Sequence, residues 1–177
     1  GLYKIFPSLR ADNFHINSIF LSGNEVYATV LTWPFREKAC VVRIEPSLKV
    51  ELGVKDMSLP HNGQIYDNEY IIINDSGLQN IKIFKRETNV LVKRISAEQL
   101  GIEGKCFFRG LKQIGNGKVL VGVGAWDREY AKTCQSANPQ ILEVDINNET
   151  VLGRVILSNN TSTSIGGLDF FDNSKSL

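Results

Sequence analysis

Residues 63–95 read GQIYDNEYIIINDSGLQNIKIFKRETNVLVKRI, and this stretch decides the fold. It contains four short runs rich in Ile, Val, Tyr and Phe, separated by turns of Asp, Asn, Gly, Ser and Thr residues. β-Branched and aromatic runs interrupted by such turns are typical of antiparallel strands. The stretch therefore predicts four strands in the order hairpin, broad loop, hairpin.

The same order occurs again on both sides of this stretch. The tight turn between the first and second strand falls at Gly23–Asn24, at Asp67–Asn68 and at Asn116–Gly117. Four-stranded units that repeat at roughly 40 to 50 residues have the period of a β-propeller. We therefore predict an all-β chain that forms one propeller segment, with about three four-stranded blades and one strand of a fourth. The predicted blades are residues 14–56, 61–96 and 107–158, and the fourth begins at 164–171.

The number of blades raises a question about closure. Closed propellers typically have four to eight blades, so a segment of three needs the remaining blades of a longer chain or further copies that close the ring. Residues 2–6, LYKIF, are strand-like and are expected to complete a blade begun by another SIGGLDFF segment. A β-sandwich of the same hairpins is the alternative fold. It is less favoured because a sandwich need not repeat one strand order three times.

Composition and charge limit the possible partners. The chain has 177 residues with 20 Lys and Arg against 19 Asp and Glu, a net charge of +1. This balance argues against a nucleic-acid or anionic-membrane partner, which would require a basic excess. No apolar segment in the sequence is long enough to cross a bilayer. The only short helical turn we expect is at 96–101.

The cysteines and the N-terminus say little about localisation. Cys40, Cys106 and Cys134 are odd in number and far apart, so they fit neither a disulfide framework nor a zinc motif. Cys40 and Cys106 stand among apolar residues and are expected to be buried. A reducing, cytoplasmic compartment is slightly favoured, although Asn-X-Ser/Thr sequences at Asn74 and Asn148, among others, argue weakly against it. The chain starts with Gly and shows no signal segment.

Propeller geometry predicts where a ligand would bind. The first strand of each blade lines the central channel, and the loop between the second and third strands returns to the rim where that first strand starts. Residues at these places should therefore meet on one face. The channel entries supply His15, Asn17, His61, Asn62, Phe108, Arg109 and Ser164, and the loops supply Trp33, Arg36, Asp75, Ser76, Trp126, Asp127, Arg128 and Glu129.

Three of these residues are tentative catalytic candidates. His15 and His61 are expected at the same place in successive blades, where imidazoles can act as acid–base groups or bind a ligand. Arg109 is a candidate anion clamp, because a guanidinium binds carboxylate or phosphate with two hydrogen bonds. The structural alternatives are that each His bonds the backbone at the rim and that Arg109 pairs with an Asp of a neighbouring blade.

The remaining candidates are ligand-binding residues: Asn17, Asn62, Asp75, Trp33, Trp126, Asp127 and Arg128. Trp33 and Trp126 can stack on sugars or aromatic ligands, or cover the seam between blades. Asp75 is alternatively the cap of its own turn. No metal site is predicted, since two histidines lack a clearly placed third ligand, for which Asp75 is the best candidate. No cofactor is indicated, and no common enzyme or nucleotide-binding motif is present.

Part of the chain resembles a known family. Leu59-Pro60-His61, Asp75-Ser76-Gly77, Arg109-Gly110-Leu111 and Val121-Gly122 occur in this order at blade spacing. They resemble an uncharacterised, tetratricopeptide-associated bacterial β-propeller family of unknown function, over roughly residues 59–157. Asn62 and Gln64 depart from the small and basic residues that this family has after the His.

The resemblance implies a propeller that is six-bladed when complete and a site around His61, Asp75 and Arg109, without a known reaction. The chain is more distantly similar to strictosidine-synthase-like and gluconolactonase-like propellers, whose metal ligands are not matched here. The leading prediction is a small-molecule or glycan-type ligand site at the top of the channel, with a catalytic role left open. The alternatives are a protein- or peptide-binding propeller and a structural half of a multi-chain ring.

Overall fold

The computed structural model describes residues 14–32, 39–47, 50–55, 57–125 and 139–157. These residues form three four-stranded sheets, and each sheet is built from four consecutive strands. All neighbouring strands within a sheet are antiparallel. The predicted all-β class with antiparallel four-stranded sheets is thus confirmed for the described residues.

The strands follow one another along the chain without crossovers. The first sheet contains β1 (Phe14–Ser22), β2 (Glu25–Thr32), β3 (Cys40–Ile44) and β4 (Val50–Leu52). The second contains β5 (Pro60–Tyr66), β6 (Tyr70–Asp75), β7 (Asn80–Lys85) and β8 (Leu91–Ser96). The third contains β9 (Cys106–Gly115), β10 (Lys118–Ala125), β11 (Gln140–Asp145) and β12 (Thr150–Ile156). A 3-10 turn, Ser76–Leu78, follows β6.

The second sheet lies between the other two and is apolar on both faces. Successive side chains of a strand point to opposite faces, so Ile71 and Ile73 of β6 pack toward the first sheet while Ile72 packs toward the third. All three are almost fully buried. The continuous Ile run of β6 is therefore explained by burial on both sides, as in other doubly covered strands.

Side chains of the second sheet hold the first strand of the third sheet by hydrogen bonds to its backbone. Gln64 Oε1 accepts from Gln113 N at 2.6 Å, and Gln79 Oε1 accepts from Cys106 N at 3.0 Å. Further bonds from Asn62, Asn74 and Ser76 are described with the site below. Because these bonds run along β9, the position of the third sheet is determined by polar contacts as well as by the apolar core.

The first strands of the sheets lie side by side. β1 contacts β5, and β5 contacts β9. At Gly63 of β5 there is no room for a side chain, because a Cβ atom there would overlap the Phe20 ring of β1. The close approach of these strands places their starting residues near one another. Among the described residues, no helix is long and apolar enough to span a membrane.

Candidate functional site

The candidate site is the rim at which β5 and β9 begin. The turn after β6 returns to this rim, since Pro60 pairs with Asp75 and Ser76 N donates to Leu59 O at 3.0 Å. Ser76 Oγ also donates to Phe108 O of β9. The start of one first strand, the loop of the same sheet and the start of the next first strand therefore lie together.

His61 is held at this rim by its own backbone neighbour and by an aromatic ring. Its Nδ1 lies 3.0 Å from Leu59 O, and a carbonyl oxygen can only accept a hydrogen bond, so Nδ1 carries a proton. The imidazole stands edge-on to the Phe107 ring, with the ring centroids 4.9 Å apart and an interplanar angle of 69°. His61 is 9% exposed. The sequence left two roles open for His61, a ligand contact and a hydrogen bond to the backbone at the rim, and this bond is the second.

Arg109 lies on the same Phe107 ring. The centre of its guanidinium is 4.8 Å from the ring centroid, a cation–π contact. Its Nε is enclosed, and no described residue accepts a hydrogen bond from it. The Arg109 side chain as a whole is partly exposed. His61, Phe107 and Arg109, here called the rim cluster, thus bring together two of the three predicted catalytic candidates.

Two asparagines fix the backbone beneath the rim cluster. Asn62 Oδ1 accepts from Gly110 N at 2.8 Å, and Asn74 Nδ2 donates to Gly110 O at 3.1 Å. Gly110 has a φ of +75°, which side chains disfavour, and it follows Arg109 in a β-bulge opposite Gly122. The bulge and the two asparagine contacts therefore determine the position and direction from which the Arg109 side chain extends out of β9.

Asp75 is part of the scaffold. Its Oδ1 accepts from Ser58 N and Leu59 N, both at 3.0 Å, and its Oδ2 lies 2.8 Å from Lys82 Nζ. The carboxylate is fully buried, so a ligand cannot reach it in this arrangement. The predicted ligand contact at Asp75 is not supported by this position. Asp75 therefore caps the turn at Ser58–Leu59. It makes no side-chain cap hydrogen bond in the turn that follows it, which was the predicted alternative.

The two histidines do not occupy equivalent positions. Counted from the hairpin turn of each sheet, His61↔Asn74 is the fifth cross-strand pair of the second sheet and Ser18↔Thr29 is the fifth of the first. His15 pairs with Leu31, two pairs further along. The expectation of matched histidines was wrong because the second sheet has a longer hairpin turn and the bulges of the two strands fall at different pairs.

Asn17 and Phe108 also have structural positions. Asn17 Nδ2 donates to Pro60 O at 2.9 Å and so links β1 to the start of β5. Phe108 is fully buried in the core between the second and third sheets. Of the loop candidates, Trp33, Trp126, Asp127 and Arg128 lie outside the described residues, as do Arg36, Glu129 and Ser164.

Phe107 was not among the site residues predicted from the sequence. The signal was present, because residues two apart on a strand point to the same face. Phe107 and Arg109 therefore face one way, while Phe108 between them enters the core. The Lys82 partner of Asp75 was also missed, since it depends on the pairing of β6 with β7.

The buried cysteines are not part of the site. Cys40 and Cys106 are free and buried, as predicted. Burial raises the pKa of the Cys106 thiol to about 12, and burial also raises the pKa of Cys40. Neither is activated as a nucleophile. Among the described residues, no group of three His, Cys, Asp or Glu side chains could hold a metal ion.

Comparisons with known proteins show the fold. No family model matches the chain, and no curated protein matches it. A luciferin-regenerating enzyme is similar at 10% identity with a TM-score of 0.66, over 90% of this chain and 50% of that one. A protein of unknown function from Bacteroides caccae is similar at 16% identity with a TM-score of 0.66, over 88% of this chain and 54% of that one.

A chain of a nidogen/laminin complex is similar at 19% identity with a TM-score of 0.56, over 85% of this chain and 50% of that one. These similar structures include propeller-type folds. At such low identities the likeness concerns the fold alone. The chain spans about half the length of each of these structures.

Proposed function

We propose that the three sheets are blades of a β-propeller and that the rim cluster binds a small anionic molecule or an acidic glycan. The observation that carries this proposal is the Arg109 guanidinium, held 4.8 Å over the Phe107 ring without a described carboxylate partner. An arginine stacked on an aromatic ring keeps its planar donor edge oriented. Such an edge binds carboxylate or phosphate with paired hydrogen bonds.

The surroundings of Arg109 support binding at this place. Its backbone position is held by the two hydrogen bonds to Gly110, so little freedom remains to be lost when a ligand is bound. His61 adjoins the same ring, and with Nδ1 protonated its Nε2 donates to an anion when the ring is in the imidazolium form. A carboxylate or phosphate group near Arg109 would therefore meet a second polar side chain.

Ligand-observed NMR with glucuronate, inorganic phosphate and glucose tests the proposal. We expect binding of at least one of the two anions and none of glucose. Arg109→Gln should weaken that binding by about tenfold or more, the loss expected for one charge-assisted hydrogen bond of about 1.5 kcal/mol or more. Arg109→Lys should weaken it too, since a single ammonium does not replace a planar pair of donors.

The matched control is Arg154→Gln. Arg154 is exposed and donates to Leu100 O at the periphery of the second and third sheets. This variant removes the same charge away from the rim. Equal affinity in wild type and Arg109→Gln, or an equal loss in both variants, would overturn the proposal, as would the absence of binding by either anion at millimolar concentration. Circular dichroism establishes that each variant is folded.

We further infer that the segment completes a ring with a second copy, on the evidence of exposed apolar side chains of β1. On the face turned away from the second sheet, Ala28, Val30, Cys40 and Val42 form a buried apolar cluster. Ile19 and Leu21 pair with β2 residues of this face and remain 63% and 69% exposed. Exposed apolar sheet surface of this kind marks an interaction site.

The occupant proposed for this face is the outer sheet of another copy, because two copies supply the length of the similar propeller-type structures, of which one copy spans half. Light scattering should then give a mass near twice 19.8 kDa. Ile19→Glu should produce monomers, whereas Leu78→Glu, at a 51% exposed position on the Ser76–Leu78 turn, should not. A monomer at all concentrations would contradict ring closure by a second copy.

A further inference from the structure

A second cleft lies between the first and second sheets, away from the rim cluster. Its volume is about 440 Å³, which is enough for a small organic molecule. It is lined by residues that follow β4 in the first sheet and by the side chains of β7 and β8 that face that sheet. Lys55, Lys82, Phe84, Asn89, Leu91 and Arg94 are among its lining residues.

The register of the two outer strands determines what the second sheet presents to this cleft. Lys82 of β7 pairs with Arg94 of β8, and Phe84 pairs with Leu91. Side chains of directly opposed residues share a face and lie close together. One end of the cleft wall is therefore formed by two cations, and the other end by an aromatic and an aliphatic side chain.

The positive charge of the cleft is only partly neutralised. Lys82 Nζ lies 2.8 Å from the buried Asp75 carboxylate. Arg94, directly opposite, and Lys55 have no ion-pair partner among the described residues, and both are exposed. No Asp or Glu is among the described residues that line the cleft. Like charges directly opposite one another on a sheet are destabilising, so an anion between them would be favourable.

The apolar end suggests which kind of anion fits. Phe84 is 4% exposed and Leu91 is 40% exposed, so together they form a floor that is partly accessible. A bare inorganic anion would use the cations and leave this floor in water. A molecule with an anionic group and an apolar body would contact both ends of the wall.

We propose that this cleft is a binding site for a small organic anion with an apolar group, such as an aromatic phosphate monoester or carboxylate. Arg94 and Lys55 hold the anionic group, and the buried Lys82 adds a positive charge near it. Phe84 and Leu91 contact the apolar group. Because Lys55 lies in the segment that follows β4 of the first sheet and Arg94 lies on β8 of the second, the bound molecule bridges these two parts of the chain. This site is independent of the rim cluster.

Titration with phenyl phosphate, followed by calorimetry, tests the proposal, with inorganic phosphate and phenol as comparison probes. We expect phenyl phosphate to bind more tightly than either comparison probe. The double variant Lys55→Gln/Arg94→Gln should lose about tenfold or more in affinity, since two charge-assisted contacts are removed. Both residues are exposed, so the fold should be retained.

Two control variants distinguish binding in this cleft from a general charge effect and from binding at the rim. Lys85→Gln/Lys118→Gln removes the same charge at side chains that are 38% and 46% exposed and lie outside the cleft, and Arg109→Gln removes the proposed rim contact. The Lys85/Lys118 variant should bind phenyl phosphate as the wild type does, and in the Arg109→Gln background the loss caused by Lys55→Gln/Arg94→Gln should remain. An equal loss in the Lys85/Lys118 variant would show a general charge effect and overturn the proposal. Loss in Arg109→Gln alone would place the ligand at the rim, and no binding in the wild type would also refute the cleft site.

Discussion

The buried ion pair of Asp75 and Lys82 provides the sharpest test of how the second sheet is held together. The Asp75 side chain is fully buried and that of Lys82 is 3% exposed, with Oδ2 and Nζ 2.8 Å apart. Asp75→Asn keeps an oxygen that can accept from Ser58 N and Leu59 N while it removes the charge. The variant therefore tests the ion pair and leaves the turn contact in place.

The expected loss of stability is large because a buried ammonium is left without its counter-ion. Removing one partner of a buried ion pair lowers the free energy of unfolding by about 3 to 5 kcal/mol. A domain of this kind is stable by roughly 5 to 15 kcal/mol in total. With a urea m-value of about 2 kcal/mol/M, the unfolding midpoint should fall by roughly 1.5 to 2.5 M. Far-ultraviolet circular dichroism measures this midpoint.

A second substitution makes the reasoning refutable. In Asp75→Asn/Lys82→Met, the unpaired charge is gone and the methionine fills similar space beside Phe84, so the double variant should be more stable than Asp75→Asn. The control is Lys85→Met, which removes an exposed lysine on the same strand as Lys82 and should change the midpoint little. The partner of Lys85 is Glu69, in the turn that precedes β6. A loss below about 1 kcal/mol in Asp75→Asn, or a double variant less stable than the single one, would refute the structural role.

Three further predictions concern packing, pH and reactivity. Gly63→Ala should lower the unfolding midpoint in urea by an amount equivalent to about 1 to 3 kcal/mol, because its Cβ would overlap the Phe20 ring; an unchanged midpoint would contradict the close approach of β1 and β5. The hydrogen bond from Arg86 lowers the pKa of Glu25 from its ordinary 4.5, so its contribution to stability is present above 4.5 and is lost as the pH falls through the lower folded pKa. Thermal unfolding of Arg86→Met between pH 7 and 3 should show a weaker acid dependence than the wild type, and identical dependence would count against the pair. Cys106, with its pKa raised to about 12 by burial, should react with a thiol reagent in urea but not in the native protein, and rapid native labelling of this thiol, mapped by mass spectrometry, would show that it is accessible.

The strand pattern was predictable because it depends on local properties. A strand covered on both faces is apolar at consecutive positions, as in YIIIND, whereas a strand covered on one face is apolar at alternate positions. Turns such as Asp67–Asn68 require positive φ values, which Asn and Asp tolerate. These preferences act between residues that are close in sequence. Antiparallel sheets of consecutive strands therefore follow from the chain itself, whereas the proposed ring closure depends on surfaces that the strand pattern does not describe.

The site was predictable in part. Propeller topology brings the starts of first strands and the loops of the second and third strands to one rim, and His61 and Arg109 do meet there through Phe107. Whether a polar residue at that rim faces a ligand or the scaffold cannot be inferred from its position in the sequence. Asp75 and Asn62 were expected to contact a ligand, and both hold backbone amides instead.

The amino-acid sequence by itself thus determined the strands and their turns, because these arise from short-range preferences of the backbone and the side chains. Only the tertiary structure decided which residues meet across sheets: Asp75 with Lys82, Arg109 with Phe107, and Lys82 opposite Arg94. A bulge or one extra turn residue shifts a strand by one position and changes the neighbours of every side chain that follows. A slip by one residue would turn the apolar side chains of a strand to its other face, so the register is settled by packing between sheets.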